Sequence, residues 1–484
     1  MAALVSRSLL PPVSLARAMV KFEDKVQHSE YYEARPVDWG DLLGETRSEK
    51  LKRRLSGNDL AAMSEIAVVS YALIVGRIDQ VPKAMLSKLP ACFRAVGRQL
   101  LGPSHLFYLV SLFFQSGEDD LFLSVIDEAL KQEQDQNRRS ALWDMRFYIA
   151  YCAFTPWNQN QSKEECDQIV AHLWGMVDDV ARDMPASWKN VSIYKAYVRC
   201  AEGRYQEALT HFREAQNQQG YYLKLYMNFE LAVTLDQFQD MHAGYSGFPH
   251  GHQAEALRHT GADRAHLVSC DKTYFDLYFP AFLQSFSRKN RGELLHIHAV
   301  NFRLSETQLG DLEKQFGVLI NATFDTIPEI EESRELRRGY AAGARYIWLH
   351  RYMELYGFVV ITDLDGQVRY SLDALSNRQE ADVYLKTAMF REGGAHAMIW
   401  TRILAGTFAI HDTPATKKMA HSISAYLFDR FENARHNGKR YFFSDQMALA
   451  LAHLQFENHI TFAEIDPLYV QGKKVPKNLS IFQG

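Results

Sequence analysis

Five cysteines in 484 residues, Cys92, Cys152, Cys166, Cys200 and Cys270, are odd in number and scattered, and no two have CxxC spacing. Such a set supports neither a disulfide framework nor a cysteine zinc site. Thiols of this kind read as reduced and mostly buried in a cytosolic protein. An excess of one charge is also missing: 54 basic residues face 58 acidic ones, a net charge of −4. No general attraction to nucleic acid or an anionic membrane is expected from that balance. The longest apolar runs are about half of the ~20 residues a bilayer helix requires. The N-terminal stretch MAALVSRSLLPPVSLARAMVKFEDK carries Arg7 and Arg17 without early acids, but Pro11-Pro12 and Arg17 interrupt any apolar core of a signal peptide. The expectation is a cytoplasmic protein. What is present is globular in kind: 47% apolar, 23% charged and 12% aromatic residues, with 24 Tyr and 29 Phe. The length exceeds one ordinary domain.

Residues 1–58 show weak periodicity and many charges, and read as an irregular lead-in. From 59 to 240 the pattern is helical, with apolar residues at i, i+3 and i+4 in HLFYLVSLFFQSGEDDLFLSVIDEALKQ and RRSALWDMRFYIAYCAF. One unit is sharper. In VSIYKAYVRCAEGRYQEALTHFREAQ, Gly203 permits a tight helix–helix turn, small Ala208 permits close approach, and Phe212 fills a groove. The string G-R-Y-x-E-A-L-x-x-F-x-x-A resembles the second half of a tetratricopeptide repeat, and the segment around Gly117 resembles a degenerate copy. An ordinary helical bundle is the alternative. Residues 241–263 are rich in glycine, histidine and turn formers and read as a linker. Their histidines (His242, His250, His252, His259) have no acidic or thiol partner at ligand spacing, which favours a solvated linker over a metal site.

From 264 the pattern changes to strand–helix alternation. HLVSC (266–270), LLHIHAV (294–300), VLINAT (318–323) and FVVITD (358–363) are candidate strands separated by amphipathic helices. Short buried strands alternating with helices imply an α/β domain with a parallel sheet. In such open sheets the ligand lies beyond the carboxyl ends of the strands. There the sequence places Asp363-Leu364-Asp365-Gly366. Carboxylates at i and i+2 on a strand end face one way, and their like charges call for a compensating cation. A hard divalent ion, Mn²⁺ or Mg²⁺, meets that need. A plain turn at the rim of a sheet is the bland alternative.

The string FVVITDLDGQV resembles motifs of two enzyme families. In DxD glycosyltransferases of the GT-A fold, the acidic pair holds a metal against the diphosphate of a nucleotide sugar. In haloacid dehalogenase-like phosphatases, the first Asp, here Asp363, is the nucleophile and the second a general acid. Position favours the first: three candidate strands precede the motif, and no later Gly-Asp or Asp-Asp follows a buried strand. Residues 264–484 resemble glycogenin-like and lipopolysaccharide-glycosyltransferase-like domains in further places. HLVSCDKTYFDLYF resembles the opening strand and helix, which implies that Cys270, Asp271 and Tyr274 lie at the nucleotide. LLHIHAVN resembles the second strand and implies the same of His298 and Asn301. RRGYAAGARYIWLHRY resembles the helix before the acidic motif, with Arg345 facing the donor. TRILAGTFAIHDT resembles the acceptor-side strand, with Gly406. FFSDQMALALAH resembles an Asp-Gln pair heading a helix, which implies that Asp445 and Gln446 sit beside the sugar and the reacting centre.

Two departures stand out. No histidine follows His459 to serve as the family's third metal ligand; His396 and His411 are substitutes by type only. Lys473, Lys474 and Lys477 are the basic residues left near the end to neutralise phosphate. The resulting expectation is a metal-dependent glycosyltransferase with a nucleotide-diphosphate sugar donor and a protein or glycan acceptor, and with no nucleic-acid partner. The helical region either recognises the acceptor or forms a homo-oligomer. An interaction protein with a degenerate nucleotide-sugar fold is the alternative from another class.

Overall fold

The computed structural model describes residues 83–91, 119–154, 163–185, 188–218, 224–244, 252–327, 330, 333–378, 380–387, 398–438, 441–465 and 470–471. The chain divides into two compact units. The first comprises residues 1–202, 214–227 and 393–395; the second comprises 203–213, 228–392 and 396–484.

The described part of the first unit is helical: α1 (Lys83–Leu86), α2 (Asp119–Gln132), α3 (Gln136–Phe154), α4 (Lys163–Asp183) and α5 (Lys189–Ala201). From α2 onward each helix packs on the next. The α3–α5 contact is aromatic and polar together. Phe147 stacks on Tyr194 with ring centroids 4.2 Å apart, and Asp144 accepts from Asn190 Nδ2 at 2.5 Å and from the Tyr194 hydroxyl. Arg139 holds Asp183 through two N–H donors at 2.7 and 2.6 Å. The segments 59–82 and 92–118 of the expected helical region, including the degenerate repeat around Gly117, lie outside the described residues. Gly203 takes the left-handed φ of 76° expected of a turn, and α6 (Tyr205–Asn217) follows.

The N-terminal half of α6 belongs to the second unit, and so do a 3-10 helix (Lys224–Leu231), apart from its first residues, and α7 (Leu235–Gly244). Tyr205 lies under Arg402 at 4.6 Å. Phe212 meets Trp400 at 5.3 Å. The Tyr426 hydroxyl donates to Leu231 O at 2.7 Å, and its ring lies 5.9 Å from Phe238. The boundary expected at 264 therefore falls inside a compact unit. Tyr205 and Phe212 of the repeat-like helix pack on Arg402 and Trp400 of the same unit.

The sheet strands are β1 (His252–Ala256), β2 (Arg264–Asp271), β3 (Leu294–Val300), β4 (Leu319–Asp325), β5 (Phe358–Thr362), β7 (Val383–Thr387), β8 (Ile403–His411) and β9 (Phe462–Glu464), in the spatial order β1-β4-β3-β2-β5-β8-β7-β9. β4, β3, β2 and β5 run parallel. β1 pairs antiparallel with β4, and β8 pairs antiparallel with both β5 and β7, while β9 runs parallel to β7. The sheet is thus mixed, not wholly parallel as the alternation implied, and β1 arises from the segment expected to be a linker. A separate ribbon joins β6 (Gln367–Val368) to β10 (Val470–Gln471).

Helices α8 (Lys272–Lys289), α9 (Glu306–Phe316), α10 (Arg334–Ile347), α11 (Leu349–Leu355), α12 (Leu372–Ser376), α13 (Ile399–Arg402), α14 (Pro414–Asn437) and α15 (Ser444–Phe456) surround the sheet. The two faces of the parallel strands differ in kind. Val268, Cys270, Leu295, Ile297, Ala299, Ile320, Ala322 and Phe324 pack with α8 and α9 residues such as Phe279, Phe282 and Leu309 in an apolar layer. The alternate residues His296, His298, Asn321, Thr323 and Asp325 are buried too, but they meet tyrosines of α10 and α11. Thr323 Oγ1 bonds both His296 Nε2 and His298 Nδ1 at 2.9 Å. The Tyr352 hydroxyl reaches His298 Nδ1 at 2.7 Å, and Asp325 Oδ2 accepts from Tyr340 and Trp348, each at 2.6 Å. A strand buried on both faces needs no polar alternation, and here the polar face is bonded instead of exposed.

Candidate active site

β5 ends at Thr362, one residue before the acidic pair. Leu364 is buried in the same apolar cluster as Cys270 and Phe275, which leaves Asp363 and Asp365 on the rim. Asp363 N donates to Gly406 O at 3.0 Å, tying the end of β5 to β8. A side chain at Gly406 would have its Cβ 2.8 Å from Asp363 Oδ2. Glycine is the residue that lets this carboxylate lie over the strand.

Arg345, on α10 and only 2% exposed, fixes the other oxygen. Its Nη2 donates to Asp363 Oδ1 at 2.5 Å and to Ala405 O at 3.1 Å, and Nη1 donates to Thr362 O at 2.7 Å. Burial opposes the guanidinium charge, but Asp363 beside it outweighs that and raises its affinity for the proton. Asp365 has no such partner: burial and then the neighbouring Asp363 push its carboxyl up.

Asp363, Arg345, Ala405 and Gly406 line a cavity of about 160 Å³ together with Gly339, Ala342 and Gly343 of α10, Tyr441, Phe442 and Phe443, and Asp445 and Gln446 of α15. Tyr441 to Ser444 form a tight turn closed by Ser444 N donating to Tyr441 O at 3.0 Å. Phe443 adopts φ 74° and ψ 7° there, a conformation usually taken by glycine or asparagine. Such a residue in left-handed backbone costs on the order of 1–3 kcal/mol and tends to mark functional segments. Asp445 accepts from Gln446 N at 2.8 Å. Burial, only partly countered by Arg345, pushes its carboxyl up. Three buried polar atoms around the cavity have no hydrogen-bond partner among the described residues: Arg345 Nε, Tyr441 Oη and Gln446 Oε1. Buried polar groups are nearly always paired, so three such atoms around one cavity make it a candidate ligand site.

Arg345, Asp363, Gly406, Asp445 and Gln446 thus meet at one cavity. The residues expected at the nucleotide divide. Asp271 caps α8 by accepting from Tyr274 N at 2.8 Å and lies 3.7 Å from Arg337 Nε. Tyr274 is half-buried beside Tyr278, and burial and then the nearby Asp365 push its phenol up. Cys270 faces the apolar layer, where burial and then Asp271 push the thiol up. His298 is fully buried, with Nδ1 engaged by Thr323 and Tyr352 and Nε2 by Asp325 at 2.9 Å. Both of its ring nitrogens are engaged inside the core, and His298 is not among the residues that line the cavity. Asn301, at φ 58°, clamps the turn after β4 through Ile327 N at 2.6 Å and Ile327 O at 3.0 Å.

Two of the four linker histidines have side-chain partners: His242 meets Ser422 Oγ at 3.1 Å and His259 pairs with Glu313; His252 begins β1. His250, His396, Lys473, Lys474 and Lys477 lie outside the described residues. His411 sits among Phe358 and Tyr384, away from the cavity. Among the described residues no group of three or more His, Cys, Asp or Glu gathers as a metal site. The acidic pair nonetheless suits a divalent cation: the one buried guanidinium bonds Asp363, and the neighbouring Asp365 is left with raised proton affinity. Sequence reasoning missed Tyr441, Phe442, Phe443, Gly339 and Gly343. The Gly339-x-x-x-Gly343 spacing inside a helix, where glycine is unfavourable, was the available signal.

No helix among the described residues is long and apolar enough to cross a membrane. No protein-family model matches the chain, and no curated protein matches it. Among solved structures, the apo form of the glycosyltransferase GlyE of Streptococcus pneumoniae aligns at 20% identity over 43% of this chain and 46% of its own, with a TM-score of 0.29. Mouse xyloside xylosyltransferase 1, apo form, aligns at 12% identity over 43% of this chain and 85% of its own, with a TM-score of 0.27. The WbbM bifunctional glycosyltransferase, apo, aligns at 11% identity over 60% of each chain, with a TM-score of 0.29. The chain spans less than half the length of GlyE, and at these identities and TM-scores the chemistry of the site rests on its own residues.

Proposed function

We propose that the protein is a metal-dependent glycosyltransferase that moves a sugar from a nucleotide-diphosphate donor to a protein or glycan acceptor, with the helical N-terminal region helping to hold that acceptor. The observation that carries this reading is the convergence of Asp363, Arg345, Asp445 and Gln446 on one cavity whose buried polar atoms lack partners. It lies at the carboxyl end of β5, where open α/β sheets bind ligands.

Asp363 and Asp365 are the residues that would hold Mn²⁺ or Mg²⁺, and when bound the ion supplies Lewis-acid stabilisation to the departing nucleoside diphosphate. Arg345 orients Asp363 and keeps the pair from full mutual repulsion. Asp271 and Tyr274 stand at the nucleotide end. Gln446 offers its side-chain carbonyl to a sugar hydroxyl. Asp445 has a raised proton affinity, which suits a group that takes a proton from an acceptor hydroxyl. The aromatic turn 441–443 excludes water on the side facing the acceptor. Tetratricopeptide-like helices stack into surfaces that hold extended segments or proteins, which fits a macromolecular acceptor.

The test is nucleoside diphosphate release and thermal shift against UDP-, GDP- and CDP-sugars with and without Mn²⁺. A ligand at 100 times Kd adds about 2.7 kcal/mol of stability. Absence of both release and shift across the panel would remove the reading.

A further inference from the structure

Tyr441 is only 3% exposed. Its ring is seated in a notch made by two glycines: a Cβ at Gly339 would lie 2.8 Å from Tyr441 Cδ1, and one at Gly343 would lie 3.2 Å from its hydroxyl. Phe431 packs on the ring edge-on at 5.8 Å. Helix α10 therefore gives up two favourable residues to receive this one side chain. The apolar ring is fully packed, yet the hydroxyl is buried without a partner among the described residues. A phenylalanine would fill the same notch with no polar group to satisfy. Burial, and then the nearby Asp445, push the phenol well above its usual range, so it stays a neutral donor throughout ordinary pH. Gly339 and Gly343 line the cavity with Tyr441, Asp445 and Gln446. An orphaned donor and an orphaned acceptor, Gln446 Oε1, belonging to residues that line one small cavity, fit a hydroxyl-bearing ring.

We propose that the Tyr441 hydroxyl donates a hydrogen bond to one hydroxyl of the transferred sugar and is a specificity-determining residue of the site. The inference rests on the glycosyltransferase reading above and deepens it to the chemical class of group recognised. A site built to bond a hydroxyl rejects the analogue lacking it, because its own buried group is then left unpaired.

The experiment compares wild type with Tyr441→Phe, measuring the Tm of the free protein and kcat/KM for diphosphate release with Mn²⁺. The probes are UDP-glucose, UDP-galactose and GDP-mannose and, for the best of these, its monodeoxy-sugar analogues. The Tm of Tyr441→Phe should be equal to or above wild type, since an unpaired buried hydroxyl is removed. Wild type should discriminate against one monodeoxy analogue, and Tyr441→Phe should lose about tenfold on the parent donor while turning over that analogue as wild type does. A lower Tm would mean that the hydroxyl is bonded within the protein, and would overturn the inference. Equal losses on the parent and on every analogue would assign Tyr441 a packing role and overturn it as well. If wild type acts on no donor, the glycosyltransferase reading fails and the inference falls with it, which is distinct from an active wild type with an indifferent variant.

Discussion

Asp325, which is buried, and Asp445, which is part-buried, are both carboxyls beside α10, and their surroundings drive them in opposite directions. Asp325 suffers burial, yet the His298, Tyr340 and Trp348 donors on its Oδ2 outweigh that and hold the carboxyl below the ordinary range. Asp445 is penalised by burial too, and among the described residues its side chain accepts from the neighbouring backbone N–H of Gln446 while Arg345 only partly offsets the burial, so it is pushed up. The difference lies in the donors gathered on one oxygen: three converge on Asp325 Oδ2, although its Oδ1 has no partner among the described residues. A carboxyl with raised proton affinity beside a cavity is a candidate functional group.

The contrast can be broken most severely at Asp325. Asp325→Ala should lower the unfolding free energy in urea by about 3–5 kcal/mol, the cost of removing one member of a buried bonded network. A loss under about 1 kcal/mol would show that the network is not structural. Next comes Asp365→Ala, which should reduce Mn²⁺-dependent turnover by about 10²-fold or more with Tm unchanged or higher. Asp365 is a cleaner probe than Asp363, whose removal strips the buried Arg345 of its partner and confounds activity with folding. Turnover of Asp365→Ala at the wild-type rate would remove that residue from the site. Gly406→Ala, with its Cβ 2.8 Å from Asp363 Oδ2, should displace the carboxylate and cost about tenfold in kcat/KM, the scale of one misplaced polar contact; unchanged kinetics would mean that the overlap is relieved elsewhere.

The smallest effect concerns pH. An aspartate with a raised folded-state pKa binds its proton more tightly in the folded state than in the unfolded one. Its penalty is absent below the ordinary value of about 3.9 and grows as pH rises through the raised value. Asp445→Asn should therefore have a higher Tm than wild type at pH 7, and the gain should vanish near pH 4. Asp325 has the opposite sign: its contribution is present above about 3.9 and is lost as pH falls through its depressed value. A Tm difference for Asp445→Asn that does not change with pH would contradict the assignment.

Much of the α/β unit was legible because periodicity reports burial. LLHIHAV coincides with β3, and the Asp363 motif does end β5. The surroundings of His298 were not legible, because a strand end says where a residue is along the chain and not which face it occupies. Strand alternation puts His298 on the face under Tyr352, among donors and acceptors that come from far away in sequence. β1 was missed because its pairing with β4 gives structure to a segment with turn-like composition. The 441–443 turn was invisible for a similar reason, since no local pattern announces that a phenylalanine will take the left-handed backbone of a glycine.

Phe443 has a consequence for engineering. Any selection for heat resistance alone would favour glycine or asparagine at that position, because the conformation is already theirs. The same pressure would favour phenylalanine over Tyr441 and asparagine over Asp445. Three unrelated stabilising changes would thus fall within five consecutive residues around one cavity. A thermostability campaign on this protein would erode its chemistry at the place where the substitutions look safest, and the segment 441–445 is best held fixed while the rest of the chain is varied.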